Sequence, residues 1–236
     1  GADTGLDVTD FTAKLSYAPV GSPHAIELKL QLADQDSNQS YLGLSDADFG
    51  NDALRRYGLS ELDNIATEHE QAILRYSFDV TANLSVTATA YNNTHQRNWF
   101  KTEGIDLDGS VNADSFSGSS WASVVDAVNL GKGLGTYTHG ELQGILDGNI
   151  DTAAGSVQLR SNNREYYSRG LQFGANWDGS FGGALHSVSM GLRFHEDEED
   201  RFQRNDTYSQ VAGKLGLDSL GTEGNAGNQV QSAEAL

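Results

Sequence analysis

The sequence contains no cysteine, only two prolines, and no apolar stretch long enough to form a membrane-spanning helix. Without cysteine, the chain has no disulfide framework, no thiolate zinc site and no thiol nucleophile. A spanning helix takes about 20 predominantly apolar residues, so a helical membrane anchor is excluded. Basic residues are also scarce, because 15 Lys and Arg against 33 Asp and Glu give a formal charge of -18. A chain this acidic is a poor partner for the phosphate backbone of nucleic acids.

The motifs of common catalytic sites are absent as well. None of the six histidines stands in an HExxH arrangement, and no serine lies in a G-x-S-x-G motif. The glycine-rich GKGLG at 131–135 does not predict a phosphate loop, because Lys132 is not followed by Ser or Thr and no strand pattern precedes it. Asp and Glu are abundant, but nothing marks a catalytic pair of carboxylates. We therefore predict that the protein is not an enzyme and carries no resident cofactor.

Along six stretches of the chain, apolar residues alternate with polar or small ones. In the clearest stretch, every second residue from Ile26 to Leu32 is Ile or Leu. A period of two places the two sets of side chains on opposite faces of a β-strand. The predicted strands are 11–17, 26–32, 72–80, 84–90 with a polar continuation to 100, 167–177 and 188–194. Short helices are predicted at 119–130 and 139–148, and Ser45 with Asp48 predicts a third helix start.

The connections between these strands alternate between short and long. Short connections are predicted at 18–24, 81–83 and 178–183, and long ones at 34–67 and 101–165, with a loop-like tail from 211 to 236. Outer-membrane β-barrels have short turns on one side and long loops on the other, and their strands alternate apolar-out with polar-in. Each predicted strand alternates over about 9–11 residues, which is enough to cross a bilayer when tilted.

Aromatic residues support the same interpretation. Tyr17, Phe78 and Trp177 lie in the apolar phase close to short turns, and Tyr167 and Phe194 lie in that phase at the opposite strand ends. A lipid-facing barrel carries aromatic girdles at both interfaces. Six strands cannot close a membrane barrel, since the smallest have eight. The chain is therefore expected to be either a segment of a larger barrel or a sheet that lies outside a membrane.

Four segments of the chain stand out by their sequence. They are YLGLSDADFGNDALRRYGLSELDNIATEHEQ at 41–71, YNNTHQRNWFK at 91–101, SNNREYYSRGLQ at 161–172 and RFHEDEEDRFQRNDTY at 193–208. In this order they resemble the TonB-dependent outer-membrane receptors, and within them the ferric-citrate receptor branch. The resemblance implies an all-β, antiparallel up-and-down transmembrane barrel of 22 strands with long extracellular loops, located in the bacterial outer membrane. Such receptors import a ferric chelate, ferric citrate or another siderophore, with energy from the TonB complex.

Compared with that family, the chain lacks a plug domain, a TonB box and the C-terminal aromatic strand. It is therefore expected to be a single partial barrel domain over residues 1–236 that contributes about six strands. The expected partners are the ferric chelate, the lipid of the outer membrane and, through the missing plug domain, the TonB complex.

A ferric citrate complex is anionic, so its receptor needs guanidinium groups, which bind carboxylates bidentately. In this acidic chain the cations of the loops and strand ends are the candidate ligands, together with neighbouring aromatic and amide groups. The predicted binding residues are Arg55, Arg56, Tyr57, Arg97, Trp99, Arg160, Asn163 and Arg164. The alternative for each arginine is a salt bridge that packs a loop and contributes little to stability.

Other interpretations remain open. The EDEED run at 196–200 is either a Ca²⁺ ligand set or, in our preferred interpretation, a solvated loop or a salt-bridge belt with Arg201 and Arg204. The chain as a whole is alternatively a soluble all-β module that binds carbohydrate through Trp99, Trp121 and Tyr137, or a porin-like protein.

One structural observation decides between the barrel and the soluble module. An exposed apolar band with no covering layer supports the barrel, and a packed second sheet contradicts it. The residues that decide this are Leu28, Leu30, Leu74, Val86, Phe173 and Leu192.

Overall fold

A computed structural model describes residues 5–106, 109 and 111–235 of the chain. This part holds nine β-strands, three α-helices and two 3₁₀ turns, at Gly58–Ser60 and Ala113–Ser115. The strands are β1 (Leu6–Tyr17), β2 (His24–Ser37), β3 (Asn64–Thr81), β4 (Leu84–Ile105), β5 (Ser119–Ser120), β6 (Val157–Phe181), β7 (Ala184–Val211), β8 (Lys214–Ser219) and β9 (Asn228–Ala235). The helices are α1 (Asp46–Asn51), α2 (Trp121–Asn129) and α3 (His139–Leu146). Among the described residues, no helix is both long and apolar enough to cross a membrane.

All strands belong to one antiparallel sheet in the order β1-β2-β3-β4-β6-β7-β8, with β5 added to β4 and β9 added to β7. Each long strand pairs with the next one along the chain, which is the up-and-down arrangement predicted from the sequence. Within the described part, β1 pairs only with β2, so the sheet is open. The predicted fold class of long antiparallel strands with short helices in the long connections is confirmed.

The turn between β6 and β7 is shorter than predicted. Pairing continues to Phe181 opposite Ala184, which leaves only Gly182 and Gly183 in the turn. Their φ angles are 61° and 82°. Two successive residues with positive φ form the turn type that matches the twist of a two-residue hairpin, and glycine adopts it without steric cost. The predicted turn at 178–183 therefore includes residues that belong to the strands.

The prediction of a loop-like tail after Val211 is wrong. β8 pairs with the C-terminal end of β7. β9 pairs with β7 from Phe202 opposite Asn228 to His195 opposite Ala235. The physical reason lies in β7, which is 28 residues long and would otherwise leave one edge of unpaired N–H and C=O groups. Short, polar, glycine-rich segments satisfy these groups from His195 to Phe202 and from Thr207 to Val211, although their own sequence shows little alternation.

Strand register aligns the apolar side chains into continuous rows. One row across the sheet consists of Leu15, Leu28, Leu74, Ala90, Leu171 and Phe194. The next consists of Tyr17, Ile26, Tyr76, Ala88, Phe173 and Leu192. We call the surface formed by these and the neighbouring apolar rows the apolar band, and the opposite surface of the same strands the polar face.

No second layer covers the apolar band within the described part of the chain. Leu74 is 49% exposed, Phe173 44% and Leu192 53%, and none of the six deciding residues is among the buried ones. An apolar surface that extends over several strands is much larger than the patches that soluble monomers expose. The sheet therefore meets the condition that the sequence set for the barrel interpretation.

From the first hairpin to the third, each turn extends further than the one before it in the same direction along the strands. Pairing of β1 with β2 ends at Ile26, which lies opposite Tyr76, whereas β3 continues for five more residues to Thr81. In the same way, Leu84 at the start of β4 lies opposite Trp177, and β6 continues beyond it to Phe181. A progressive stagger of this kind accompanies tilted strands in the wall of a barrel.

The buried core lies at the other end of the sheet, under the connections 38–63 and 111–156, which we call the loop cap. α2 contributes Trp121, Val124, Ala127 and Val128 on one helical face, as an amphipathic helix does. The other core residues are Tyr57, Leu59, Leu142, Ile145 and Leu146 of the loop cap and Ile105, Val157, Leu159 and Tyr208 of the strands.

The helix starts of the loop cap have side-chain caps. Ser45, Ser120 and Thr138 each accept a hydrogen bond from a backbone N–H of the first turn. The three predicted helices are therefore confirmed with shifts of only a few residues at their ends. The complete capping box is the one between Thr138 and Glu141, which the sequence interpretation overlooked.

Candidate functional site

Three arginines of neighbouring strands lie side by side on the polar face. Arg97 of β4 is directly opposite Arg164 of β6, and Arg164 is directly opposite Arg201 of β7. Directly opposed residues point to the same face of a sheet, where like charges repel each other. We call these residues the arginine row. In a chain with a formal charge of -18, the row is a local concentration of positive charge.

The fold only partly neutralises the arginine row. Arg164 Nη1 lies 3.0 Å from Glu199 Oε1 and donates to the Tyr166 hydroxyl at 3.2 Å. Arg201 donates to the side chain of Gln203. Arg97 makes no ion pair or hydrogen bond with any described residue, and the Nε atoms of all three arginines are buried without a partner. Three guanidinium groups with one carboxylate between them leave a surplus of positive charge that suits an anion.

A second group of cations lies beside the arginine row, nearer the loop cap. Arg160 of β6 is opposite Lys101 of β4, and both pair with Glu103, at 2.8 Å and 3.2 Å. The Lys101 ammonium also lies 3.3 Å from the centroid of the Tyr41 ring. Trp99 lies on the polar face between this group and the row, with its indole packed edge-on against Tyr41. The sequence-predicted residues Arg97, Trp99, Arg160 and Arg164 are therefore brought together on one face.

Next to the arginine row, on the side of the hairpin turns, a row of His69, His95 and Tyr166 crosses β3, β4 and β6. The imidazole centroids are 6.0 Å apart, and the centroids of His95 and Tyr166 are 5.8 Å apart. Burial, followed by the nearby charges of His69 and Arg97, lowers the pKa of His95. Burial and the neighbouring cations both disfavour the protonated form of His95.

Asn163 belongs to the opposite face. Successive residues of a strand point in opposite directions, so Asn163 faces away from its neighbour Arg164. It lines a groove of about 310 Å³ that crosses β2, β3, β4 and β6. The groove also contains Asp34, Asp36, Glu68 and Glu165, whose phase is that of the apolar band. Arg97 and Arg164 also contribute to the lining, but by alternation their side chains point to the polar face. The carboxylates therefore disfavour an anion in the groove, and the polar face is the better candidate site for one.

The remaining predicted residues, Arg55, Arg56 and Tyr57, lie in the loop cap. Arg55 forms ion pairs with Asp48, at 2.6 Å, and with Asp147. Tyr57 is 2% exposed, and its hydroxyl donates to Asp48 Oδ2 at 2.6 Å. Arg56 donates to the backbone carbonyl of Asp63 at 2.8 Å. These contacts join α1 to α3 within the loop cap, and they do not bring Arg55 or Tyr57 to the polar face.

The predicted ionic belt of Arg201 and Arg204 with the EDEED run is wrong. Alternation divides this run between the two faces, and its arginine partners come from β6, where Arg169 pairs with Glu196 at 2.8 Å and Arg164 with Glu199. Arg204 instead pairs with Asp206 at 2.9 Å. Among the described residues, no three His, Asp or Glu side chains are grouped so that they could hold a metal ion.

The structure adds Arg201 and Lys101 to the residues that the sequence predicted. The turn at Gly182 and Gly183 was the signal that could have found Arg201. In a two-residue hairpin the partners lie symmetrically about the turn, so Arg164 must be opposite Arg201. Placing the turn at 178–183 without this register hid the relationship.

The proposed carbohydrate platform of Trp99, Trp121 and Tyr137 is not present. Trp121 is 1% exposed and packs inside the loop cap against Tyr57, with ring centroids 6.1 Å apart. Tyr137 also packs against the buried core. Stacking on a sugar needs an exposed ring face, which Trp121 does not offer.

Comparison with known proteins gives a likeness of fold. No family model matches the chain, and no curated protein sequence matches it. The crystal structure of the ferric citrate transporter FecA in its unliganded form matches with a TM-score of 0.60 and 16% sequence identity. The match covers 93% of this chain and 25% of that one, so the chain spans about a quarter of the length of the structure it matches. At this identity the similarity shows that the chain has the fold of a section of that barrel.

Proposed function

We propose that the chain is part of the wall of a barrel in the bacterial outer membrane that takes up an anionic ferric chelate, with ferric citrate as the leading candidate. The observation that carries this proposal is the arrangement of one sheet, which presents the apolar band on one side and the arginine row on the other. The likeness to a ferric citrate transporter supports the same function. Coupling to a TonB complex would belong to the whole transporter.

The apolar band supports placement in a membrane. Removing apolar surface from water is favourable by roughly 25 cal/mol per Å², and within the described chain nothing else covers this surface. Antiparallel strands also satisfy their backbone hydrogen bonds between neighbours, as a structure in lipid must. The open edge at β1 would be completed by further strands of the larger barrel.

The arginine row supports an anionic ligand. We assign the first contacts to Arg97, Arg164 and Arg201, with Trp99, Lys101 and Arg160 around them. Arg55, Arg56 and Tyr57 would hold the loops in position, since their polar groups already have partners in the loop cap. Asn163 would lie outside the ligand site, because it faces the other side of the sheet.

The test is a titration of the protein in detergent micelles with ferric citrate, followed by the fluorescence of Trp99. We expect Arg97→Ala and Arg164→Ala each to weaken binding about tenfold or more, because each removes a charge-assisted hydrogen bond. The matched control is Arg75→Ala, which removes an arginine from the polar face of β3 outside the arginine row. Unchanged affinity in both row variants would contradict the ligand assignment. Binding that never saturates would favour an unselective pore instead.

A further inference from the structure

We propose that His69 and His95 form a binding site for a divalent transition-metal ion on the polar face of the sheet. The two residues are direct cross-strand partners on β3 and β4. The site would take an imidazole-preferring ion such as Cu²⁺ or Zn²⁺. The inference is independent of the proposed transport function, because it concerns only the two side chains and their surroundings.

The separation of the two rings fits a shared ion. Metal–nitrogen bonds of ~2 Å place the centroids of two imidazoles bound to one ion ~5 to ~6.5 Å apart, depending on the angle between the bonds. The observed centroid distance is 6.0 Å, with an angle of 58° between the ring planes. The separation of the rings is therefore compatible with one ion bound by a nitrogen of each ring.

The two rings are also available for a ligand. The ring of His95 is in contact with the rings of His69 and Tyr166. His69 makes no hydrogen bond or ion pair with a described residue, and its ring contact is with His95. Both rings are half-buried, so an ion has access from the polar face.

The surrounding charges determine which ions would bind and how tightly. Arg97 and Arg164 lie in the adjacent arginine row, and Glu199 is paired with Arg164. No carboxylate completes the pair into a site of three ligands in the described part of the chain. The charges of Arg97 and Arg164 oppose any divalent cation, so binding depends on strong metal–imidazole bonds, and hard ions that require several carboxylate oxygens are disfavoured most. Cu²⁺ gains most from two imidazole nitrogens, and water would fill its remaining positions.

The experiment is a titration of the whole chain in detergent micelles with Cu²⁺, read by calorimetry and by the nitrogen hyperfine pattern in electron paramagnetic resonance. We expect one Cu²⁺ with two equivalent imidazole nitrogens. His69→Gln and His95→Gln should each weaken binding at least tenfold and remove one nitrogen from the pattern. The control is His139→Gln, at the exposed first position of α3, which should leave affinity and spectrum unchanged.

Three outcomes would overturn the proposal. They are absence of nitrogen coordination in the unaltered protein, an unchanged spectrum in both histidine variants, or an equal loss in His139→Gln. Circular dichroism of each variant separates loss of the site from loss of the fold. The arginine variants distinguish this proposal from the transport proposal, because Arg75→Ala and Arg164→Ala leave both imidazoles in place and should retain Cu²⁺ coordination.

Discussion

Gly170 of β6 lies directly between Tyr91 of β4 and His195 of β7 and lets the tyrosine ring cross the intervening strand. The Tyr91 hydroxyl reaches His195 Nδ1 at 2.6 Å and accepts a hydrogen bond from Arg193 Nε at 3.1 Å. A Cβ atom at Gly170 would lie 2.5 Å from the Tyr91 hydroxyl oxygen and closer still to the carbonyl of Phe194. The absence of a side chain at this position therefore joins three strands on the polar face.

Gly170→Ala should lower the free energy of unfolding by about 1–3 kcal/mol, because the added methyl group must displace Tyr91 or the backbone of β7. Urea unfolding in detergent micelles measures the change. Gly191→Ala is the matched control, since a Cβ there meets only the Phe173 carbonyl at an ordinary 3.7 Å. Equal free energies of unfolding in the two variants would show that the Tyr91 ring can cross β6 when residue 170 carries a side chain.

Trp177 should be in contact with lipid acyl chains, and Trp121 should not. Trp177 is 37% exposed within the apolar band, whereas Trp121 is 1% exposed in the loop cap. Two single-tryptophan variants, each keeping one of these residues with Phe at the other positions, would be reconstituted into vesicles containing brominated acyl chains. We expect strong quenching for Trp177 and weak quenching for Trp121. Equal quenching would contradict the lipid contact.

Acid should loosen the loop cap through Asp48. Burial raises the pKa of this carboxyl, but hydrogen bonds from Tyr57, Ser45 and Gln143, together with the Arg55 charge, outweigh burial and hold the pKa below its usual value. A depressed pKa stabilises the fold above the unfolded value of about 3.9, and this contribution is lost as the pH falls through the lower folded value. Near-ultraviolet circular dichroism of Trp121 should therefore report loosening below about pH 4.

Asp48→Asn tests the origin of that acid transition. The variant should be about 1–3 kcal/mol less stable at neutral pH, because Arg55 and Tyr57 lose their charged partner, and its stability should change less with acid. Asp46→Asn is the control, since Asp46 lies exposed on the same short helix. An acid transition that is identical in all three proteins would assign it to other carboxylates.

Trp121→Ala should destabilise the loop cap by about 3–5 kcal/mol, because it leaves a cavity where a fully buried indole was. Trp121→Phe should cost much less, since the indole N–H has no hydrogen-bond partner to lose. Limited proteolysis of the connections 38–63 and 111–156 measures the opening of the cap. The exposed Leu130→Ala at the end of α2 is the control. Protection of Trp121→Ala equal to that of the control would contradict the central role of this residue.

Local signals predicted much of the fold. The alternation in β2 and the amphipathic pattern of α2 depend on residues close together in the chain, so the sequence alone could assign them. The tail was mispredicted because β8 and β9 form through pairing with the free edge of β7 and not through their own propensity. β9 pairs with a part of β7 that is distant in the chain and therefore has no local sequence signal. β8 follows β7 through a two-residue turn at Ala212 and Gly213, which is a local signal that the sequence interpretation overlooked.

The residues of the candidate site were likewise predictable from the sequence only in part. The sequence identified arginine as the residue type that an anionic ligand needs, and the structure brings Arg97, Trp99, Arg160 and Arg164 to one face. It could not separate these from Arg55 and Tyr57, because only packing of α1 against α3 gives the latter their partners in Asp48 and Asp147.

By itself, the sequence determined which residues of each strand share a face, because side-chain direction has a period of two along any strand. Only the tertiary structure decided which of those residues stand next to one another. That depends on register, which the two-residue turn at Gly182 and Gly183 fixes for β6 and β7. The arginine row, the histidine pair and the passage of Tyr91 over Gly170 all result from register between strands.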